Sequence, residues 1–320
     1  MRTIRETVSS GISTLDELKD ALQTAIQLEF STLPPYMCAE WSINASLDPS
    51  GVAAMINAVA AQEMLHFGLA CNMLSAIGGS PSIANEDFVP TYPCLGLPGG
   101  CQPGLLMDLL PLGLQALNIF MQIEFPEQDI IATDPDSIGS FYDTIAEGFK
   151  KVKPAFSPFN QVAIAGIQTS LTLDPLTGIL SVDDAVKAIN EIKDQGEGTS
   201  KSPYEGGPDR TFLSHYYTFG QIYFGRKLIA VDDGYQYTGE QVVMPESYSF
   251  QVSSEQADQQ ASFVDTFSTL LTQLEGCWTT GGNIQTAIKT MKSLKPIGQA
   301  LIQAGVRPQF KFAAAKAAAA

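Results

Sequence analysis

Only two histidines, His66 and His215, occur in 320 residues, so any chemistry that needs imidazole must use those two. Charge is scarce as well: Asp, Glu, Lys and Arg make up 16% of the chain, well below the usual quarter, while apolar residues hold a normal 45%. That balance excludes general disorder and points to a large buried interior. Basic residues are few, 18 against 34 acidic, and the resulting net charge of −16 excludes nucleic acid and anionic lipid surfaces as partners. No apolar run reaches about 18 residues without polar breaks, and the first residues show no signal-type stretch; the expectation is a soluble, cytoplasmic protein with no membrane contact. The five cysteines, Cys38, Cys71, Cys94, Cys101 and Cys277, are odd in number and form no CxxC pair, which argues against a disulfide framework or a thiolate zinc site.

What is present is mostly helical. Thr14 and Glu17 form a capping-box pattern ahead of a long three-four stripe, predicting a helix from about Thr14 towards Ile43 that Pro34-Pro35 should bend or break. A second helix is expected from about Val52 to Ile77, stopped by Gly78-Gly79, with Ile56, Val59, Glu63, His66, Ala70 and Met73 on its inward stripe. Residues 80 to 111 are rich in Pro, Gly and Cys, show no sustained periodicity and read as an ordered connection placed to lie over a site. Further helices are predicted at about Leu109–Glu127, Ile138–Lys150, Val182–Asp194 and Thr211–Ala230, with two more at about Ser254–Glu275 and Asn283–Ala304. This gives an all-α chain whose single domain spans 1–312, with insertions at 80–108 and 128–181, extra C-terminal helices within 254–304, and a low-complexity tail at 313–320.

Polar residues stand where this core should be apolar. Glu29, Glu63, His66, Glu124 and His215 fall on otherwise apolar stripes of four helices. An unpaired buried carboxylate costs several kcal/mol even after relaxation, so something must neutralise the set. A pair of divalent metal ions would, with Glu63 and His66 placed on one helix face by their Glu-x-x-His spacing. Each residue also has a plain reading: a lone Glu-x-x-His arises by chance, Glu29 would be exposed if the helix register shifts by one, and His215 would be a hydrogen-bonded core histidine. Glu124 has no Lys or Arg within a turn. Di-iron bundles usually offer four carboxylates, with a second Glu-x-x-His on the last helix, but Phe212 occupies the position three before His215. Glu197, in the segment QGEG, and Glu127 are the candidates for the missing carboxylate; flanking glycines favour Glu197 by permitting close backbone approach.

The segments AIQLEFSTLPPYMCA (25–39), AAQEMLHFGLACNMLSAIGG (60–79), LPGG (97–100), FMQIEFPE (120–127), SIGSFYDTIAEGF (137–149), QGEG (195–198) and SHYYTFGQIYFGRKL (214–228) resemble the ferritin-like domain family that includes the iminophenyl-pyruvate dimer synthase domains of bisindole pigment pathways. That resemblance implies a ferritin-like four-helix bundle with long insertions and two additional C-terminal helices. It also implies iron held by Glu29, Glu63, His66, Glu124 and His215. Members commonly carry a glutamate at the position of Phe212 and an acidic residue near Gln221; this chain has neither.

The functional expectation is a non-haem di-iron, oxygen-dependent oxidoreductase of specialised metabolism, with manganese or another divalent ion as the alternative metal. It would take a small organic molecule and dioxygen as partners, for oxidative coupling, desaturation or oxygenation; a homo-oligomer is compatible with the sequence. Tyr36, Trp41, Tyr216, Tyr217 and Phe219 lie one or two turns from the candidate ligands and would line a substrate cavity or simply fill the core. Two alternatives use the same Glu/His set: a non-redox lyase, cyclase or hydrolase, and a non-catalytic iron-binding bundle.

Overall fold

A computed structural model describes residues 2–126, 137–168, 173–197, 202–205, 212–252 and 257–314. Two capping boxes open the chain. Thr3 and Glu6 cap α1 (Ile4–Ser10), a short helix that periodicity alone did not announce, and Thr14 and Glu17 cap α2 (Leu15–Trp41). Contrary to expectation, α2 runs unbroken through Pro34 and Pro35. A proline frees the carbonyl four residues earlier, and for Pro35 that is Ser31, whose oxygen accepts a 2.8 Å hydrogen bond from the buried Tyr92 hydroxyl. A partner from the following connection therefore offsets part of the cost.

Asp48 starts α3 (Val52–Ala76) by accepting from the amides of Val52 and Ala53 at 2.8 and 2.9 Å. Helices α2 and α3 lie antiparallel, as the contacts Lys19 Nζ to Gly78 O and Thr32 Oγ1 to Glu63 Oε2 show from opposite ends. Among the described residues α3 is the one helix long and apolar enough to cross a membrane, and 67% of that stretch is buried inside the bundle. It is the core helix, which explains its nearly continuous apolar composition.

Two ten-residue helices complete the four: α4 (Leu114–Ile123) and α7 (His215–Phe224). Both are shorter than the sequence suggests. Glu124 caps the end of α4 rather than lying within it, and His215 is the first residue of α7 rather than a turn inside it. Gly225, in the left-handed region at φ 67°, ends α7 well before Ala230. Tyr36, Phe120 and Phe219 pack edge on edge and seam α2, α4 and α7 together.

Helices α5 (Ile138–Val152) and α6 (Val182–Glu197) pack beside the bundle, joined at the surface by Lys193 and Asp143. The last two, α8 (Ala257–Thr279) and α9 (Ile284–Gln303), form a hairpin against its far side. Trp278 of α8 donates to Asn72 of α3 at 2.8 Å. Gly298 lets α9 approach Trp41 of α2 so closely that a Cβ there would stand 2.4 Å from the indole ring. Among the described residues the connections contain three antiparallel strand pairs: β1 (Cys94–Leu97) with β2 (Cys101–Met107), β3 (Ile164–Gln168) with β4 (Leu173–Leu176), and β5 (Ile229–Val231) with β6 (Gly234–Gln236). The first gives the ordered connection at 80–111 a strand pair that its composition did not announce; its turn is LPGG, where Gly99 and Gly100 take φ values of 73° and 75°. The buried core runs without interruption from Ile4 to Phe310.

Candidate metal centre

Five buried side chains converge between the four bundle helices. Glu29 comes from α2, Glu63 and His66 from one face of α3, Glu124 from the end of α4, and His215 from the start of α7. They form two groups able to hold a metal ion, Glu29/Glu63/His66 and Glu63/Glu124/His215, with donor atoms in each group within 4.8 Å of one another. Glu63 belongs to both. His66 Nδ1 lies 3.4 Å from Glu29 and 3.8 Å from Glu63; His215 Nδ1 lies 2.8 Å from Glu63 and 3.4 Å from Glu124. The two imidazoles are stacked, 5.5 Å apart at 25°.

An outer set of side chains repeats the same pattern on both sides. Each Nε2 meets a glutamine carbonyl: Gln195 of α6 at 2.8 Å from His66, and Gln62 of α3 at 3.1 Å from His215. Each flanking carboxylate accepts from a tyrosine: Tyr142 of α5 donates to Glu29, and Tyr36 of α2 to Glu124 at 2.5 Å. Thr32 Oγ1 lies 3.0 Å from Glu63 and 2.9 Å from the Glu29 carbonyl, and donates its one proton to one or the other. Gln62, Gln195, Tyr142 and Thr32 were not singled out from sequence. Gln62 left a signal all the same: with Glu63 it makes two adjacent polar residues in an otherwise apolar helix, and α3 buries both.

The electrostatics are those of a site short of positive charge. No lysine or arginine pairs with Glu29, Glu63 or Glu124 among the described residues. Burial, with Glu124 beside it, raises the Glu63 pKa to about 7, the two imidazoles pulling the other way. Burial alone would lower the His215 pKa, but Glu124 and Glu63 outweigh it and hold it up at about 10. His66 is raised too, by Glu29 and Glu63 against its own burial. Burial and the adjacent carboxylates push Tyr36 and Tyr142 well above the usual phenol, so both stay protonated donors. The Nδ1 of His215 is buried and, despite its short contacts, makes no hydrogen bond of good geometry. Three carboxylates, two inward-facing imidazole nitrogens and no other counter-charge suit a dinuclear metal site.

The centre forms the floor of a cavity of about 170 Å³ whose walls include Leu28, Ile123, Phe125, Ile138 and Ile192, with Lys193 at its side. The aromatic residues expected from spacing are elsewhere. Tyr36 and Phe219 are locked in the interhelical core, Trp41 stacks on Phe310 behind the bundle, and Tyr216 borders a separate surface hollow with Phe125 and Tyr223. Besides Leu28 of α2 and Ile123 of α4, the cavity is lined from α5, α6 and the strand β2, and of these α5 and β2 lie in segments that read as insertions. Phe212 also needs correction: it precedes α7 in an extended bridge, its carbonyl accepting from the Glu205 amide at 3.0 Å, so a helical Glu-x-x-His ending at His215 is not what this backbone offers. Glu197 is the last residue of α6 and its side chain, like all of Glu127, lies outside the described residues. The backbone before it does come close, since a Cβ on Gly196 would stand 3.5 Å from Glu124 Oε2.

Residues 22–224, the stretch that carries all five convergent side chains, match the Ferritin-like family model. The chain belongs to the ferritin-like family, as its resemblance implied, and its all-α bundle is the ferritin-like fold. A crystal structure of a ferritin like protein from Caulobacter vibrioides has the same fold, with a TM-score of 0.71 and 24% identity over 94% of this chain and 100% of that one. The chain is also 24% identical over 260 residues to dichlorochromopyrrolate synthase from Lentzea aerocolonigenes, a match covering 66% of this chain but 25% of that protein. It therefore spans about a quarter of that relative's length.

Proposed function

We propose that the centre binds a pair of iron ions and that the protein is an oxygen-dependent oxidoreductase acting on a small organic molecule. The observation that carries this reading is one carboxylate, Glu63, shared between two like Glu/His groups at the floor of an apolar-walled cavity. Glu29 and His66 would serve one ion, Glu124 and His215 the other, and Glu63 both. Oxygen and imidazole donors in this number favour iron or manganese over a closed zinc site. Two bound iron ions would supply the redox equivalents for dioxygen-dependent oxidation. Glu197 is proposed as the fourth carboxylate, delivered by the same turn of α6 that brings Gln195 and Gly196 to the centre.

The chain's own residues do the rest. Leu28, Ile123, Ile138 and Ile192 give the cavity apolar walls that would hold an apolar substrate over the centre in place of water. Gln62 and Gln195 orient the imidazoles, and Tyr36 and Tyr142 steady the outer carboxylates. Tyr142 borders the cavity and keeps a proton at its hydroxyl within reach of a bound molecule. The likeness to a synthase supports a biosynthetic substrate, oxidised by coupling, desaturation or oxygenation.

Anaerobic loading with ferrous iron tests the reading. About two iron per chain is expected, followed on exposure to air by oxygen uptake and a new near-ultraviolet absorption. A protein that binds no metal, and whose melting temperature ignores a chelator, would overturn it. Tight zinc or magnesium binding without any response to oxygen would favour a non-redox lyase, cyclase or hydrolase instead.

A further inference from the structure

Gln62 and Glu205, both buried, lie on a single hydrogen-bonded path that ends at the centre. Gln62 Oε1 is 3.1 Å from His215 Nε2, and Gln62 Nε2 donates to Glu205 Oε1 at 2.9 Å. We propose that Glu205, acting through Gln62, is a positioning residue that holds His215 with its proton on Nε2 and its Nδ1 turned towards Glu63 and Glu124. This inference rests on the reading of the centre as a metal site and adds a device that sets one of its two halves.

The reasoning is one of donor and acceptor polarity. A glutamine amide has an accepting end and a donating end, whereas a carboxylate only accepts. Glu205 therefore captures the NH2 end and leaves the carbonyl facing His215. A carbonyl opposite Nε2 requires an N–H there, and a neutral imidazole protonated on Nε2 keeps its lone pair on Nδ1. That nitrogen is the one 2.8 Å from Glu63 and 3.4 Å from Glu124. Turning the amide over would set oxygen against carboxylate and NH2 against Nε2, which would favour the other tautomer and aim an N–H at the metal position.

The backbone ties sensor and target together. Glu205 donates its amide to Phe212 O and Ser214 donates to Pro203 O, both at 3.0 Å, with Tyr204 and Leu213 paired in an antiparallel bridge. The acid absent at position 212 is thus matched by one across the ladder at 205. It faces the centre through Gln62 instead of touching it. Gln195 gives His66 its own carbonyl partner, so the His66 half is an internal control.

Zinc, which is diamagnetic, and the presence of only two histidines make the test direct. In the zinc-loaded wild type, nitrogen-15 NMR of labelled histidine should show both rings protonated at Nε2 and bound through Nδ1. In Glu205→Leu the His215 pattern should be lost or broadened, and chelator competition should show one zinc weakened about ten- to a hundredfold, with the His66 pattern unchanged. Glu205→Gln alone, which frees the amide to turn, should lose part of the His215 signature. Adding Gln62→Glu to that variant sets a carboxylate against Nε2–H and an amide NH2 against the carboxylate, and should restore it. Two unperturbed zinc sites in Glu205→Leu would overturn the inference while leaving the metal reading intact. Equal loss at both histidines, unrestored by the exchange, would reduce Glu205 to a structural residue. If Glu205→Leu does not fold, the Glu205→Gln and exchanged variants decide alone. A wild type that binds no zinc and no iron overturns the metal reading and this inference together.

Discussion

The two halves of the centre are chemically alike and architecturally different. Glu29, Glu63 and His66 project from the middle of two long antiparallel helices, α2 and α3. Glu124 and His215 sit at the end and the beginning of ten-residue helices, α4 and α7. Helix interiors fix a side chain through a full set of backbone bonds on either side, whereas helix ends do not. Both halves carry a tyrosine and a glutamine, Tyr142 and Gln195 in the first, Tyr36 and Gln62 in the second, and the second adds Glu205 behind Gln62. Like outer sets thus serve ligands on helix interiors in one half and on helix ends in the other, where more rests on them, and the two should fail differently.

The sharpest way to break the comparison is to remove what the halves share. Glu63→Ala should abolish loading at both, from about two ions per chain to none, measured by elemental analysis after anaerobic reconstitution. His66→Ala and His215→Ala should each spare the opposite half and retain about one ion. Full single occupancy in Glu63→Ala would mean that Glu63 serves one half alone.

Protons provide a second, smaller test. In the metal-free protein His215 is held up at about 10 and His66 is also raised, so metal entry must displace protons from both. Loading should weaken steadily as pH falls below about 10, with proton release on binding seen in weakly buffered solution. Stability of the metal-free protein should move the opposite way. A histidine whose folded pKa exceeds its unfolded value stabilises below the unfolded value, about 6.5, and loses that contribution as pH rises towards about 10. Glu63 acts in the same direction over a lower window: its folded pKa is raised to about 7, so the stability it contributes while protonated is lost as pH rises from about 4.5 towards 7. A metal-free melting temperature that climbs between about pH 7 and 10 would contradict the sign for His215.

The same contrast explains how much the sequence revealed. Glu29, Glu63 and His66 lie on regular stripes, and periodicity placed all three on inward faces. Glu124 and His215 were also picked out, but as residues inside longer helices, because periodicity continues through Phe212 and past Gly225 while the helix does not. A bridge to residue 204, nine residues earlier, takes over the backbone at 213, and the helical periodicity does not report that. Pro34-Pro35 misled for a related reason: the partner that accommodates the freed carbonyl is Tyr92, in a connection 61 residues away from Ser31. The Pro/Gly-rich connection was read as a segment placed over a site, and β2 within it does line the cavity; the walls from α5 and α6 were missed, since their apolar residues have no regular relation to the ligands. The glycine beside Glu197 was read for close approach, and Gly196 does approach Glu124, although it is Gln195 that reaches the histidine.

The finest test separates the two tyrosines. Tyr36→Phe and Tyr142→Phe each delete one hydroxyl from a buried carboxylate and leave the ring in place. Tyr36 is enclosed by Phe120 and Phe219, so water has no room beside the lost hydroxyl, even though Glu124 itself borders the cavity. Tyr142 borders the cavity, where water can reach Glu29. A buried charged acceptor left without its donor costs about 1–3 kcal/mol, and in a chain of this size each kcal/mol is worth about 2–4 °C in melting temperature. Metal-free Tyr36→Phe should therefore melt several degrees below wild type, and Tyr142→Phe by a smaller margin. Metal should narrow the gap, because a bound cation satisfies the carboxylate that lost its phenol. Equal losses in the two variants, or a gap that persists unchanged after loading, would show that the outer hydrogen bonds do not distinguish the two halves.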